Sequence, residues 1–283
     1  MDLNSKISIL GFDSLYTDSN IVVFGAPFDG TVSYRPGSRF GPSAIRNESY
    51  GIETYSPYQN ADLQDLKGCD AGDLPIPFGD TRIALDMIYN FTRDIVNDGK
   101  LPIMLGGEHL VTLPAVEAVL EKFTNLCILH LDAHTDVREE YMGISLSHAT
   151  VMRRIWEKTG DKRIWQFGIR SGERYEFEWT KVHNHLTPFN LEGIENALNE
   201  IGNRPIYLTI DLDVLDPSVF PGTGTPEHGG VSFNDLIGFL LKLKGKNIVG
   251  ADLVELAPNY DNTGISTAVA CKLLREVALV MNI

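Results

Sequence analysis

Leu126-Cys127-Ile128-Leu129-His130-Leu131-Asp132-Ala133-His134-Thr135-Asp136 begins as an apolar run and ends in acid, histidine and acid. The run is short and rich in β-formers, so it reads as a buried strand. Side chains alternate along an extended chain. If the extension continues past Leu131, Asp132, His134 and Asp136 point to one side. Three potential metal ligands then meet at the carboxyl end of a strand, where open α/β sheets bind their ligands. Acids after a strand also commonly cap the next helix, so this stretch does not decide the matter alone.

The pattern recurs. Pro205-Ile206-Tyr207-Leu208-Thr209-Ile210 runs into Asp211-Leu212-Asp213, and Leu101-Pro102-Ile103-Met104-Leu105 runs into Gly106-Gly107-Glu108-His109. A buried cluster of carboxylates repels itself unless cations neutralise it. Asp132, Asp136, Asp211 and Asp213 carry four negative charges, which two divalent ions balance.

The rest of the chain is that of an ordinary globular protein. Of its 283 residues, 43% are hydrophobic and 22% charged, enough for one sizeable α/β domain, here taken as 1–283. A net charge of −14 argues against nucleic acid and anionic membrane and is compatible with a cationic substrate. No apolar run is long enough to span a bilayer. Met1 to Leu10 lacks the basic start and apolar core of a secretion signal, and the expected compartment is cytoplasmic. Cys69, Cys127 and Cys271 have neither disulfide-framework nor zinc-finger spacing, and two of them sit in apolar runs and read as packing residues.

Strands are expected at Ile21–Phe24, Leu66–Ala71, Leu101–Leu105, Leu126–Leu131, Arg163–Ile169, His185–Phe189, Leu208–Ile210 and Ile248–Glu255. Helices are expected near Ser43–Glu48, from an Asp80 cap to Asn97, over Thr112–Phe123, and from His148 to Gly160. Others should run from an Asn190 cap to Gly202, from Ser232 onward, and over Ile265–Met281. Strands alternating with helices make an α/β fold with a mostly parallel sheet. A closed eight-fold barrel fits the same pattern, and the pattern does not choose between them. The Gly- and Pro-rich loop at Tyr34–Pro42 reads equally as a pocket wall or an ordered surface loop.

Gly-Gly-Glu-His at 106–109, Asp-Ala-His-Thr-Asp at 132–136, Ser-His-Ala at 147–149, and Asp-Leu-Asp-Val-Leu-Asp-Pro at 211–217 running into Pro-Gly-Thr-Gly-Thr-Pro at 221–226 resemble the ureohydrolase family. That family includes arginases, agmatinases, guanidinobutyrases, proclavaminate amidinohydrolases and formiminoglutamases. The resemblance runs from about Gly25 to the C-terminus. It implies a three-layer α/β/α sandwich with an eight-stranded parallel sheet, two manganese ions and a homotrimer or homohexamer. His109 and Asp136 would hold one ion, and His134 and Asp213 the other. Asp132 and Asp211 would bridge them. The resemblance makes His148 a proton shuttle, a role that an ordinary histidine pKa of about 6.5 suits. It makes Glu255 the holder of the guanidinium. Asp216 and Thr225 belong to family motifs, Asp216 as a loop-shaping residue and Thr225 as that or as a substrate contact. Glu108 stands where many relatives carry aspartate.

The substrate class follows from the same resemblance. Arginases follow their Asp-Ala-His-Thr-Asp with asparagine and serine. Here Val137-Arg138-Glu139-Glu140-Tyr141 follows, which disfavours arginine. The 36–46 loop and the Arg138–Tyr141 run are most similar to agmatinases. The expected reaction is agmatine plus water to putrescine plus urea, with Glu139 or Glu140 as candidates for the distal ammonium. The alternatives are another guanidino or formimino compound (aminopropyl-agmatine, guanidinobutyrate, arginine, formiminoglutamate), or a metal-binding scaffold without catalysis.

Overall fold

A computed structural model describes residues 8–77 and 79–282, so most of the stretch read for a leader lies outside the described residues. Eight strands form one sheet: β1 (Ile21–Ala26), β2 (Gly68–Asp73), β3 (Leu101–Gly106), β4 (Cys127–Leu131), β5 (Ile164–Ile169), β6 (His185–Pro188), β7 (Ile206–Asp211) and β8 (Ile248–Val254). They lie in the order β2-β1-β3-β8-β7-β4-β5-β6. Every pairing is parallel. β2 and β6 are open edges, so the barrel alternative is excluded and the expected sandwich holds.

Alternate side chains of the six inner strands feed two separate cores. Ile21 and Val23 enter one; Val22 and Phe24 enter the other. Helices α1 (Gly41–Glu48), α6 (Ile194–Ile201), α7 (Phe233–Lys242) and α8 (Ile265–Met281) cover the first face. α2 (Thr81–Asn97), α3 (Thr112–Lys122) and α4 (Val151–Thr159) cover the second. With both faces covered, the central strands read as continuous apolar runs rather than alternating ones.

Most expected elements form where their signals lie. The Asp80 carboxylate accepts from the Ile83 amide, and the Ser232 hydroxyl from the Asp235 amide, each satisfying an orphan donor of a first turn. Two readings are corrected. Asn190 does not cap α6: its side chain accepts from Glu192 N–H in a tight turn, and the helix starts after the left-handed Gly193. A further helix, α5 (Arg174–His183), stands between β5 and β6. It shows little apolar periodicity, and a reciprocal Glu173–Glu176 capping box starts it. All three cysteines are free and buried, so the packing environment expected of two of them extends to the third. No helix among the described residues is long and apolar enough to cross a membrane.

Candidate metal centre and cleft

β3, β4 and β7 lie near the middle of the sheet, and all eight strands point the same way. Their carboxyl ends therefore deliver ligands to one place. His109 opens a short turn after β3. Its approach requires Gly107, because a Cβ there would lie 1.8 Å from the Phe28 carbonyl oxygen. Asp132 follows β4 directly. Asp211 ends β7, and its Oδ1 accepts from Asp213 N–H at 2.9 Å, which curls the chain back and turns Asp213 to the same side. The chain does not stay extended after Leu131. The backbone bends at Ala133, pairs once in parallel at His134 with Ser171, and then takes a left-handed φ of 52° at Asp136. Asp132, His134 and Asp136 thus converge through a turn rather than through the period-two alternation expected.

His109 Nδ1 lies 3.0 Å from Asp132 Oδ2, 3.2 Å from Asp136 Oδ2 and 3.4 Å from Asp211 Oδ2. His134 Nδ1 lies 3.0 Å from Asp213 Oδ2 and 3.4 Å from Asp132 Oδ1. The structure therefore brings all six sequence-derived ligand candidates into two adjoining groups that share Asp132, one oxygen to each.

The hydrogen bonding around His109 tests whether a cation fits. Thr209 donates its only hydroxyl proton to Asp252 Oδ1 at 2.6 Å, so it accepts from His109 Nε2–H at 2.9 Å. Nδ1 of the neutral ring is then a lone pair facing three carboxylate oxygens, and it has no hydrogen-bond partner. Only a proton or a metal cation relieves that repulsion. Burial disfavours charge on the ring, but bonds to Asp132, Asp136 and Asp211 outweigh it and raise the His109 pKa well above normal. Burial also drives Asp211 well up and Asp136 up to about 7, each with neighbouring carboxylates adding to the effect. Asp132 goes the other way. Burial raises it, but hydrogen bonds from three histidines hold it well below the usual carboxylate range. Such a site takes up protons where it lacks metal, and its oxygen-rich donors with two imidazoles suit hard or borderline divalent ions.

His130 matched no ligand position in the sequence, yet it belongs to this centre. Asn184 Nδ2 donates to Gln166 Oε1, so the Gln166 amide nitrogen faces Thr135 O and His130 Nδ1. His130 Nδ1 therefore accepts, and Nε2–H donates to Asp132 Oδ2 at 2.8 Å. Its position two residues before Asp132 in a strand was a usable signal, because period two places both on one face.

Above the ligands opens a cleft of about 400 Å³. Glu255 lies on its wall at a left-handed φ of 66°, with Oε1 accepting from His109 N–H at 2.9 Å. Burial raises its pKa well above normal, and the Glu108 carboxylate adds to this. Thr225 also lines the cleft and donates to Asp213 Oδ2 at 3.3 Å. Asp216 instead binds Ser218, Gly229 and Gly230 and shapes the loop, as expected. His148 reaches the cleft between Ser33 Oγ at 3.4 Å and Ser147 Oγ at 3.2 Å. Burial lowers its pKa to about 4, and the positive charge of His134 and His109 pushes the same way.

The outer wall differs from the expected one. Glu139 and Glu140 are exposed and do not line the cleft; Arg138, Tyr141, Glu173 and Glu176 do. Buried Glu176 accepts from Thr135 Oγ1 at 3.1 Å and pairs with Arg138 Nε at 3.4 Å. Arg138 Nη2 lies 3.8 Å from Glu173, and its guanidinium sits over the Tyr141 ring. No residue of the 34–42 loop lines the cleft: Arg35 sits over Tyr260, and Gly37, Ser38, Gly41 and Pro42 are buried.

The sequence profile of the arginase family matches residues 19–280. An agmatinase of Bacillus anthracis is 47% identical over 93% of this chain and 92% of its own length. Proclavaminate amidinohydrolase of Streptomyces clavuligerus is 34% identical over 91% of this chain and 85% of its own. The crystal structure of agmatine ureohydrolase of Thermoplasma volcanium superposes with a TM-score of 0.89 at 33% identity, covering 99% of this chain and 95% of that one. With its parallel sheet and the histidine–aspartate groups at the strand ends, this chain belongs to the arginase family.

Proposed function

We propose that this protein hydrolyses agmatine to putrescine and urea, with His109, Asp132, His134, Asp136, Asp211 and Asp213 holding two manganese ions. The observation that carries the reading is the pair of histidine–aspartate groups sharing Asp132 at the floor of a cleft. The similarity to agmatinases supports the substrate. When bound, such an ion pair supplies Lewis acidity that brings the pKa of water down toward neutrality. Donors that are mostly oxygen, with two imidazoles, favour manganese over structural zinc.

The chain's own residues do the rest. Glu255 Oε1 is occupied by the His109 amide, and Oε2 lies toward Gly224, where the missing side chain leaves room. A guanidinium there supplies the positive charge that this buried carboxylate lacks, and two parallel N–H groups suit a planar acceptor. Thr225 steadies Asp213 and offers its hydroxyl to the substrate side of the cleft. His148 is neutral near pH 7, so it can take a proton from the attacking water and pass it to the leaving amine. The trimer or hexamer and the cytoplasmic setting belong to the same reading and rest on the family resemblance. A monomer mass near 31.4 kDa by light scattering counts against the oligomer.

Arg138 in the cleft wall favours a second reading, a guanidino acid with a carboxylate tail. Two carboxylates flank this one guanidinium, however, so the wall keeps an excess negative charge. Urea release from agmatine, arginine, 4-guanidinobutyrate and aminopropyl-agmatine by manganese-loaded protein decides between them. Agmatine should have the highest kcat/KM. A higher value for 4-guanidinobutyrate makes Arg138 the tail anchor and overturns the agmatine assignment.

A further inference from the structure

Three segments far apart in sequence meet behind His148. Thr31 lies in the loop after β1, Glu108 just past β3, and His148 in the turn before α4. Glu108 is fully buried. Its Oε2 accepts from Thr31 N–H at 2.9 Å, and its Oε1 accepts from the Thr31 hydroxyl. Its own amide donates to Phe28 O at 2.8 Å, so this residue ties down both ends of the 28–31 loop. One proton is shared between the Thr31 hydroxyl and Glu108 Oε1. The hydroxyl oxygen remains an acceptor and takes the His148 backbone N–H at 3.2 Å. Thr31 is not among the residues that line the cleft.

The His148 ring itself meets two rotatable hydroxyls, Ser33 Oγ and Ser147 Oγ, the edge of the Tyr141 ring and the backbone of Thr31. The hydroxyls follow the ring rather than fix it. Thr31 meets His148 twice, at the ring through its backbone and at the His148 amide through its side chain, while Thr150 closes the turn at Ser147.

We propose that Thr31, held by Glu108, positions His148 for proton transfer, an inference that rests on the role given to His148 above. Glu108 reaches Thr31 with one methylene more than an aspartate has. Shortening it withdraws the carboxylate by about 1.5 Å, one carbon–carbon bond. A reacting group displaced by about 1 Å loses on the order of 10²-fold in rate, so a modest loosening is visible in turnover.

The test is a double-mutant cycle on manganese-loaded protein with Thr31→Val, His148→Asn and the pair. Thr31→Val keeps the shape and removes the hydroxyl. It should lower kcat by roughly 10- to 100-fold with KM and metal content unchanged, while Thr31→Ser stays within about threefold of the parent. On the His148→Asn background, Thr31→Val should cost less than about twofold, because residues acting through one another are not additive. Glu108→Asp should show the same dependence on His148. An equal loss in both backgrounds, loss of metal in Thr31→Val, or full turnover in Thr31→Val overturns the proposal.

Urea release by the parent protein and by His148→Asn alone tests the underlying reading separately. If another guanidino compound proves to be the substrate, the cycle is run on that compound. A readout independent of turnover is the His148 imidazole ¹H–¹⁵N signal of metal-free protein, identified by its absence in His148→Asn. Thr31→Val should shift it and Thr31→Ser should not; an unmoved signal in Thr31→Val also overturns the proposal.

Discussion

The inner and outer walls of the cleft are built differently. Asp132, Asp211, Asp213 and His109 are buried at strand ends, where neighbouring parallel strands fix the backbone. Ser33, Tyr141, Gly172 and Glu173 stand on loops, three of them exposed. The inner wall concentrates charge that only a cation or protons can balance. The outer wall is a loosely held set of charges with water access. On the proposed function, bond-breaking chemistry resides in the scaffold, and discrimination of the substrate's tail resides in loops that can change without disturbing it.

The sharpest way to break this contrast is at the shared ligand. Asp132→Ala should leave His109, His134 and their remaining carboxylates without the residue that joins the two groups. Urea release should fall to background. Metal affinity should fall by more than the roughly 10–100-fold that loss of an outer partner such as His130 costs. Retention of two manganese ions per chain by elemental analysis would falsify the shared role of Asp132.

His148 comes next, because it stands where the two walls meet. It is expected to move a proton and not to bind metal. His148→Asn should therefore keep both metals and lower kcat by roughly 10²–10⁴-fold with KM little changed. Imidazole in the buffer should restore part of the rate. Loss of metal in this variant moves His148 among the ligands, and near-normal turnover leaves it with no catalytic task.

The two walls were also unequally legible in the sequence. Each inner-wall residue follows an apolar run, and a strand end is a fixed place in a parallel sheet. Asp132, Asp211 and His109 could thus be grouped before any contact was known. Asp136 was grouped with them for an incomplete reason: the left-handed turn that brings it in has no signature in Thr135-Asp136-Val137. Glu173 and Glu176 were missed because α5 was missed, and α5 was missed because Arg-Tyr-Glu-Phe-Glu-Trp carries little helical apolar periodicity. Proximity along the chain to the Asp-Ala-His-Thr-Asp motif favoured Glu139 and Glu140, but the backbone there turns both into solvent. His130 and Gln166 lie on adjacent strands, and their pairing is a matter of register, which a single sequence does not display.

The acid cluster makes a prediction about pH. In metal-free protein, burial raises Asp136 to about 7 and Glu108 to about 8, and Asp211 and Glu255 rise as well. Between the ordinary carboxylate range near 4 and those raised values, the folded chain holds more protons than the unfolded one, so stability falls as pH rises. His109 and His134, both raised well above normal, continue the fall above about 6.5. His148, lowered to about 4, and His130 and His185, also lowered, act oppositely and add stability as pH rises toward about 6.5, but with Asp252 the raised groups are seven against these three. Metal-free protein should therefore melt at a lower temperature at pH 8 than at pH 5. Manganese should raise Tm more at pH 8, since its ligands bind it deprotonated. A metal-free Tm that climbs steadily from pH 5 to pH 8 contradicts this account of the inner wall.

The smallest expected effect belongs to the outer wall and separates two places for the substrate's distal ammonium. Glu173 lines the cleft, and its side chain is 61% exposed. An exposed ion pair is worth about 0.2–1 kcal/mol, or roughly 1.4- to 5-fold in affinity. Glu173→Gln should accordingly raise KM for agmatine by up to about fivefold and leave kcat unchanged, because the tail is bound equally before and during reaction. The change should shrink at high salt, which screens charges in water. A guanidino compound with an uncharged alkyl tail should show no change at all. Glu139→Gln and Glu140→Gln are the controls: both residues are exposed, and neither lines the cleft, so KM should stay at the parent value. If either control raises KM more than Glu173→Gln does, the Arg138–Tyr141 segment moves over the cleft in the bound state. The ammonium then lies where proximity along the sequence first placed it, and the outer wall is rebuilt by the substrate that it selects.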